Sequence, residues 1–147
     1  MKYKTFSNTD AGAKKEASTV LRLAEQYLIR AEARAMQNNL TGAIADVDAI
    51  RIRAGAVAND SKDFKTIGYA TPNISQQDLL AAIYNERLLE LFSEYGHRWF
   101  DAKRIRPDDL AGFFGNRKPV IKATAAYLPL PAKEILVNPN LNQSEGY

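Results

Sequence analysis

The stretch NERLLELFSEYGHRWFDAKR, residues 85–104, contains the side chains of this chain that are best suited to chemistry. Glu86, Glu90 and Glu94 recur every four residues, so one continuous helix would place their carboxylates on a single face. His97, the only histidine, follows three residues after Glu94. Glu-x-x-His is the ligand spacing of di-iron helical bundles, so a metal site is the first hypothesis.

Counting ligands argues against that metal site. A di-iron centre needs a second Glu-x-x-His and further inward carboxylates, whereas the whole chain has one histidine. Gly96 also interrupts the motif, and glycine weakens a helix that would have to aim both ligands. We therefore expect no metal and no cofactor.

A catalytic triad is the second chemistry that His97 could serve, together with Asp101 four residues later. No serine lies in a nucleophile-elbow pattern, and no glycine-rich strand–turn–helix is available to build an oxyanion hole. Gly112 and Gly115 do not form a phosphate loop, because no Lys-Ser/Thr follows them. The sequence therefore predicts no catalytic residue and no enzyme.

A packing role accounts for the same acids more simply. Three glutamates on one helix face repel each other unless cations lie between them. We expect salt bridges from Glu86, Glu90 or Glu94 to arginines of the preceding helices, and these would hold the helices in register. Glu32 and Arg34 are candidate partners.

Aromatic side chains are the remaining candidates for a ligand contact, because flat rings can stack on sugar faces when they are accessible. Trp99 is most typical of a core aromatic residue, with a sugar platform as the alternative. Tyr69, Phe113 and Phe114 are expected in loops, where access is better. The residues alone leave the ligand-binding site unknown.

The elements that would position these residues are helices. Apolar residues recur at steps of three and four from about Ser18, which predicts one helix, and a second follows the break at 37–39. Thr41 is the predicted N-cap of the second helix and Gly55 its C′ residue. So short a joint forces antiparallel packing, and we predict a helical hairpin over about 18–55. Alanines would let the two axes approach closely: Ala31, Ala35, Ala43 and Ala49.

Residues 56–74 are rich in turn formers and predict a long loop, of a length that is often functional. Ser75 with Asp78 is typical of a capping box and begins a helical region over about 75–106. That region is expected to end or bend at Gly96 and to stop at Pro107.

The last part of the chain, 107–147, is proline-punctuated and is predicted to be an extended tail docked on the helices. Pro131 could open a single helical turn through Glu134. Four residues are too apolar to be expected free in water: Leu128, Leu130, Ile135 and Leu136.

Composition sets the broad class. The 147 residues are 46% hydrophobic and 25% charged, with a formal net charge of +3, which is typical of one globular domain. Basic and acidic residues alternate along the helices, so a nucleic-acid partner is not expected. There is no cysteine, which excludes disulfides and thiolate chemistry. Residues 1–17 are polar and aperiodic, and they predict an extended leading segment and no signal peptide.

Three blocks of the chain resemble the C-terminal part of SusD/RagB-like proteins, in the order of that family. They are RLAEQYLIRAEARAMQNNLTGAIADVDAIRIRAG, IYNERLLELFSEYGHRWFDAKR and LPLPAKEILVNPNLNQSEGY, and together they span the chain from about Leu21 to Tyr147.

The resemblance implies an all-α fold built on tetratricopeptide-like helix pairs, of which the first two helices here would be one. It implies a non-catalytic surface lipoprotein of the outer membrane in Bacteroidetes-type bacteria. Such a protein would capture a glycan or another nutrient and would cover a TonB-dependent, SusC-like transporter. It also implies that Glu86, Arg87, Glu90 and the turn from His97 to Asp101 are signatures of the fold.

The chain also departs from the family. SusD-like proteins are several times longer and begin with a signal peptide and a lipid-bearing cysteine, neither of which this sequence shows. We therefore expect a fragment, 1–147, of a longer protein whose N-terminal part is a further partner. We also expect the fragment by itself to be marginally stable or oligomeric. The alternative function is a tetratricopeptide-type protein-interaction scaffold, which the alanine-rich hairpin would fit.

Overall fold

The computed structural model describes residues 19–114, 121 and 123–147. These residues form seven α-helices and one 3₁₀ helix, and no β-strand occurs among them, so the all-α prediction is confirmed. The helices are α1 (Leu23–Met36), α2 (Leu40–Arg53), α3 (Ile67–Ala70), α4 (Gln76–Glu90), α5 (His97–Ile105), α6 (Leu110–Phe114) and α7 (Ala132–Val137), with the 3₁₀ helix at Ala123–Ala126.

Two compact units make up the chain, one ending at Leu91 and the other beginning at Phe92, and each is described by itself. The single domain expected over 1–147 stays a prediction. The expected leading segment, 1–17, lies outside the described residues.

The first helix begins later than its sequence pattern indicates. Helix α1 starts at Leu23, after an extended Arg22, instead of near Ser18. Val20 and Leu21 continue the apolar period but are 59% and 74% exposed, so they do not belong to the buried stripe. The stripe that is buried begins at Ala24 and continues through Leu28.

Asn39, and not Thr41, is the N-cap of α2. Its side-chain Oδ1 accepts a hydrogen bond from the backbone N–H of Gly42 at 3.0 Å. Asparagine is among the strongest N-capping residues, and Asn38 enables the tight joint by adopting a positive φ of 61°. At the other end Gly55 has a φ of 100°, which confirms it as the C′ residue.

The predicted hairpin is present, and α1, α2 and α4 pack on one another. The close approach of α1 and α2 uses Ala31, Ala35 and Ala43, all fully buried, whereas Ala49 is exposed and takes no part. Burial of this apolar surface is the main stabilising term of the unit. The larger core cluster consists of Ala31, Ala35, Ala43, Val47, Ile67, Leu79 and Ile83, and a second cluster consists of Ala24, Leu28 and Ile50.

The loop over 56–74 is present and partly structured. Val57 and Lys65 form an isolated parallel bridge. The four residues of α3 follow, and their first residue, Ile67, is 3% exposed and belongs to the core. The loop is therefore anchored at its base.

Helix α4 begins as predicted, because the Ser75 hydroxyl accepts from the Asp78 N–H at 3.1 Å. It ends at Glu90, before the expected break at Gly96. Ser93 and Tyr95 have positive φ values of 59° and 38°, which a helix cannot contain. Gly96 is instead the N-cap of α5.

In the second unit α5 ends at Ile105, two residues before Pro107, as predicted. Helix α6 packs against α5 and against the 3₁₀ helix. The described part of the region from 107 onward is thus less extended than predicted. Pro131 precedes α7, which continues past the expected end at Glu134 to Val137.

The C-terminal residues are held to residues 127–130 by side-chain hydrogen bonds. The Gln143 amide pairs with both backbone groups of Leu130, at 2.8 and 3.1 Å, and the Tyr147 hydroxyl donates to the Tyr127 carbonyl at 3.0 Å. Leu130 and Ile135 are half-buried, but Leu128 and Leu136 are 74% and 84% exposed, against expectation.

Within the described ranges, no helix combines the length and the hydrophobicity that crossing a membrane requires.

Candidate functional site

Glu86 and Glu90, the first two acids of the suspected active site, form ion pairs with arginines of the hairpin. Glu86 is 4% exposed, and its Oε2 accepts from Arg51 Nε at 3.0 Å. Arg51 Nη1 also donates to the carbonyl of Lys65 at 3.0 Å. One guanidinium therefore joins α2, α4 and the base of the long loop.

Glu90 lies one turn further along α4 and is shared by two arginines. Its Oε1 accepts from Arg22 Nη1 at 2.7 Å, and its Oε2 pairs with Arg53. Arg22 Nη2 also donates to the Glu90 carbonyl at 2.8 Å and so satisfies an acceptor of the last helical turn. Burial acts to raise the pKa of the Glu90 carboxyl, but hydrogen bonds from Arg53 and Arg22 outweigh it and hold that pKa below its ordinary value.

These contacts confirm the predicted salt bridges and correct one proposed partner. Arg34 does not bind α4. Together with Arg30 it binds Asp46 of α2, which is 3% exposed, with both N···O distances at 2.7 Å. Glu32 does face α4, where it accepts a hydrogen bond from the Tyr84 hydroxyl at 3.3 Å.

The Glu-x-x-His spacing does not lie on one helix. Glu94 lies in the turn before α5, is 8% exposed, and accepts through its backbone carbonyl from the His97 N–H at 3.1 Å. Asp101 is 4% exposed and pairs with Arg104 at 3.2 Å. Among the described residues no three His, Asp or Glu side chains are grouped as metal ligands.

Three aromatic residues of the second unit are packed together, namely Trp99, Phe113 and Phe114, whereas Phe100 is 63% exposed. The rings of Trp99 and Phe114 stack with centroids 6.1 Å apart, and Phe113 meets Phe114 edge-on at 5.3 Å. The Arg98 guanidinium lies 4.1 Å from the Phe113 centroid, which is a cation–π contact. Apart from Phe100, all these side chains are half-buried, so Phe113 and Phe114 are less accessible than predicted.

Tyr69 is accessible, as expected, and two polar residues that the sequence reading did not single out lie beside it. It is 40% exposed on α3. Lys65 Nζ is 5.9 Å from its ring centroid and donates to Asp60 Oδ1 at 2.7 Å. The turn-rich run NDSKDFK was the only sequence signal for Asp60 and Lys65, and it indicated a loop without indicating a shared position.

The ion pairs that Glu86 and Glu90 form with three arginines, Arg22, Arg51 and Arg53, are called here the charged seam. The fold and this seam define a helical scaffold in which the acidic side chains hold helices together. A comparison with protein families matches the entire chain, residues 1–147, to the SusD family. This chain belongs to the SusD family.

Among curated proteins the chain is similar to the SusD-like protein P25 of Formosa agariphila. The two are 33% identical, and the match covers 86% of this chain and 23% of that protein. The chain therefore spans about a quarter of the length of the curated relative that it matches. The comparison with solved structures found no significant match.

Proposed function

We propose that the chain is part of a non-catalytic nutrient-capture protein of the bacterial outer membrane. In this proposal the whole protein binds a glycan and delivers it to a TonB-dependent transporter. The observation that carries the proposal is the match to the SusD family along the full chain. The similarity to the SusD-like protein of Formosa agariphila agrees with it.

The fate of the acidic residues supports a binding protein over an enzyme. General acid–base catalysis needs carboxyls that can exchange protons with a substrate. Here Glu86, Glu90 and Asp46 are each hydrogen-bonded by arginine, and each joins two helices. These carboxylates therefore hold helices together. A hydrolytic activity that a His97→Ala variant abolished would contradict the non-catalytic proposal.

The direct test of capture is affinity electrophoresis in gels that contain neutral or acidic polysaccharides. Retardation by at least one polysaccharide, with a non-binding globular protein of similar size as control, is expected. Absence of retardation in every gel, for this chain and for any longer natural form, would contradict glycan capture.

The transporter contact is tested separately. A tagged copy expressed in its native bacterium is expected to co-purify with a large outer-membrane β-barrel receptor after mild detergent extraction. Recovery of the tagged protein without any such receptor would contradict this part of the proposal.

The second candidate is a protein-interaction scaffold, favoured by the alanine-lined hairpin and by apolar side chains on the outside of α1. Leu23, Ile29 and Met36 are 73%, 45% and 63% exposed. Such a scaffold would bind a peptide and no glycan. An Ile29→Glu substitution would then abolish peptide capture, whereas glycan capture would not depend on it.

A further inference from the structure

An exposed group of polar and aromatic side chains in the loop between α2 and α4 takes no part in the charged seam. We propose that Asp60, Lys65 and Tyr69, called here the Tyr69 site, bind a pyranose ring of a neutral oligosaccharide. This inference rests on the proposed function and locates one subsite of it. Tyr69 would stack on the apolar face of the sugar, while Asp60 and Lys65 would hydrogen-bond its hydroxyls.

The Tyr69 site has hydrogen-bonding capacity to spare. An ionised carboxylate has about four acceptor positions and an ammonium has three donors. Lys65 Nζ donates one hydrogen bond to Asp60 Oδ1 at 2.7 Å. Hydrogen bonds from Lys65 and then from Tyr69 hold the pKa of the Asp60 carboxyl below its usual range, so it stays an acceptor at neutral pH. Sugar hydroxyls both donate and accept, which suits this pairing.

The backbone around the Tyr69 site is held by hydrogen bonds that need no ligand. Backbone hydrogen bonds from Val57 N to Phe64 O at 3.2 Å and from Thr66 N to Val57 O at 3.1 Å close the loop. The Asp48 carboxylate then accepts from two backbone N–H groups of α3, at 2.6 and 2.9 Å. Because these groups are already ordered, a ligand would meet little conformational cost.

Other aromatic side chains of the described residues are exposed as well, and Phe92, Phe100 and Tyr127 are 68%, 63% and 70% exposed. The Arg51 guanidinium lies 5.6 Å from the centroid of Phe64 and is fixed there by Glu86. In the second unit Trp99, Phe113 and Phe114 stack on one another. We place the site at Tyr69 because its ring is 40% exposed and the ion pair of Asp60 with Lys65 lies beside it.

Charge determines the class of sugar. Residues 56–70 contain two acids, Asp60 and Asp63, and two bases, Lys62 and Lys65, so their formal charges cancel. A loop without net positive charge has no long-range attraction for uronates or sulfated sugars. A neutral sugar therefore fits better than an acidic one.

The test is titration of the ¹⁵N-labelled 147-residue chain with neutral hexasaccharides of glucose, xylose and mannose, and with trigalacturonate as an anionic probe. We expect amide shift changes concentrated over 57–70 with at least one neutral sugar. Tyr69→Ala should raise the Kd about tenfold, the equivalent of one lost stacking contact. Tyr69→Phe should raise it less than about threefold, because the ring remains.

Tyr127→Ala is the matched control, since Tyr127 is 70% exposed in the other unit, and it should leave the Kd unchanged. Lys65→Met removes the ammonium group but keeps the backbone carbonyl of residue 65, which accepts a hydrogen bond from Arg51. This variant should weaken sugar binding even though Tyr69 is unchanged. Neutral-sugar binding that is unaffected by Tyr69→Ala would overturn this site and leave the proposed function standing. Preference for trigalacturonate would overturn the neutral ligand. No binding of any sugar by this chain would overturn the Tyr69 site, whereas the proposed function of the whole protein is tested by the polysaccharide gels with longer natural forms.

Discussion

At the residue scale, the side chains that look most reactive form ion pairs between helices. Glu86 and Glu90 are nearly buried, and a buried carboxylate is costly unless a cation and hydrogen bonds compensate for it. Arg51, Arg22 and Arg53 supply that compensation from elements far away in sequence. The same spacing that suggests metal ligands therefore produces a ladder of ion pairs.

Arg51→Met should lower the free energy of unfolding by about 2–4 kcal/mol, because it leaves Glu86 buried without its charge partner. Urea unfolding followed by far-UV circular dichroism measures the change. Arg106→Met removes an exposed pair with Asp109 and should change the same quantity by less than about 0.5 kcal/mol. The double variant Arg51→Met/Glu86→Leu should recover much of the lost free energy of unfolding. An Arg51→Met variant as stable as the wild type would contradict a stabilising role for the Arg51–Glu86 ion pair.

Glu90 should contribute to acid sensitivity. Its pKa is lower in the folded chain than its ordinary value, so its ion pairs stabilise the fold above the unfolded pKa of about 4.3. That contribution is lost as the pH falls through the folded pKa. Thermal melts between pH 6 and pH 3 should therefore show a shallower decline of Tm in Glu90→Gln than in the wild type. Parallel pH profiles would contradict this assignment.

At the element scale, local signals predict the helices well because caps and periodicity act within a few residues. Ser75, Gly55 and Pro107 each have the predicted role. The misplaced boundaries have local causes as well. Asn39 reaches the Gly42 N–H and so starts α2 before Thr41 can cap it. Two positive φ values end α4 before Gly96.

The N-cap assignment gives a paired test. Asn39→Ala should lower the free energy of unfolding by about 1 kcal/mol, since the Gly42 N–H loses its acceptor. Thr41→Ala should have almost no effect, because Thr41 is exposed and is not the cap. Chemical denaturation of both variants separates the two assignments, and an equal loss in both would mean that Asn39 has no special role.

At the scale of the whole molecule, much apolar surface remains outside the core. Val20, Leu21, Leu23 and Met36 are each more than half exposed near or along α1. A helix pair of tetratricopeptide type normally buries such a face on a neighbouring repeat. The match covers 23% of the Formosa relative, so that protein has further residues beyond the matched part.

The 147-residue chain by itself should therefore self-associate or melt at low temperature. Sedimentation equilibrium over a hundredfold concentration range should show a rising average mass, and Tm should rise with concentration. A Leu21→Ser/Leu23→Ser variant should shift the population towards monomer. A monomer with a cooperative melt that is independent of concentration would contradict this expectation.

The sequence alone determined the helical class, the hairpin and several helix ends, because caps and helical periodicity act between residues a few positions apart. It also indicated that Glu86 and Glu90 pair with arginines, since like charges at that spacing require them. Only the tertiary structure decided which arginines these are and that Arg34 turns instead to Asp46. It alone brought Asp60, Lys65 and Tyr69 together. Ion pairs such as Arg51 with Glu86 join residues 35 positions apart, and local periodicity does not specify them. Asp60 and Lys65 are close in sequence, but a turn-rich loop has no helical or strand period that would place them side by side.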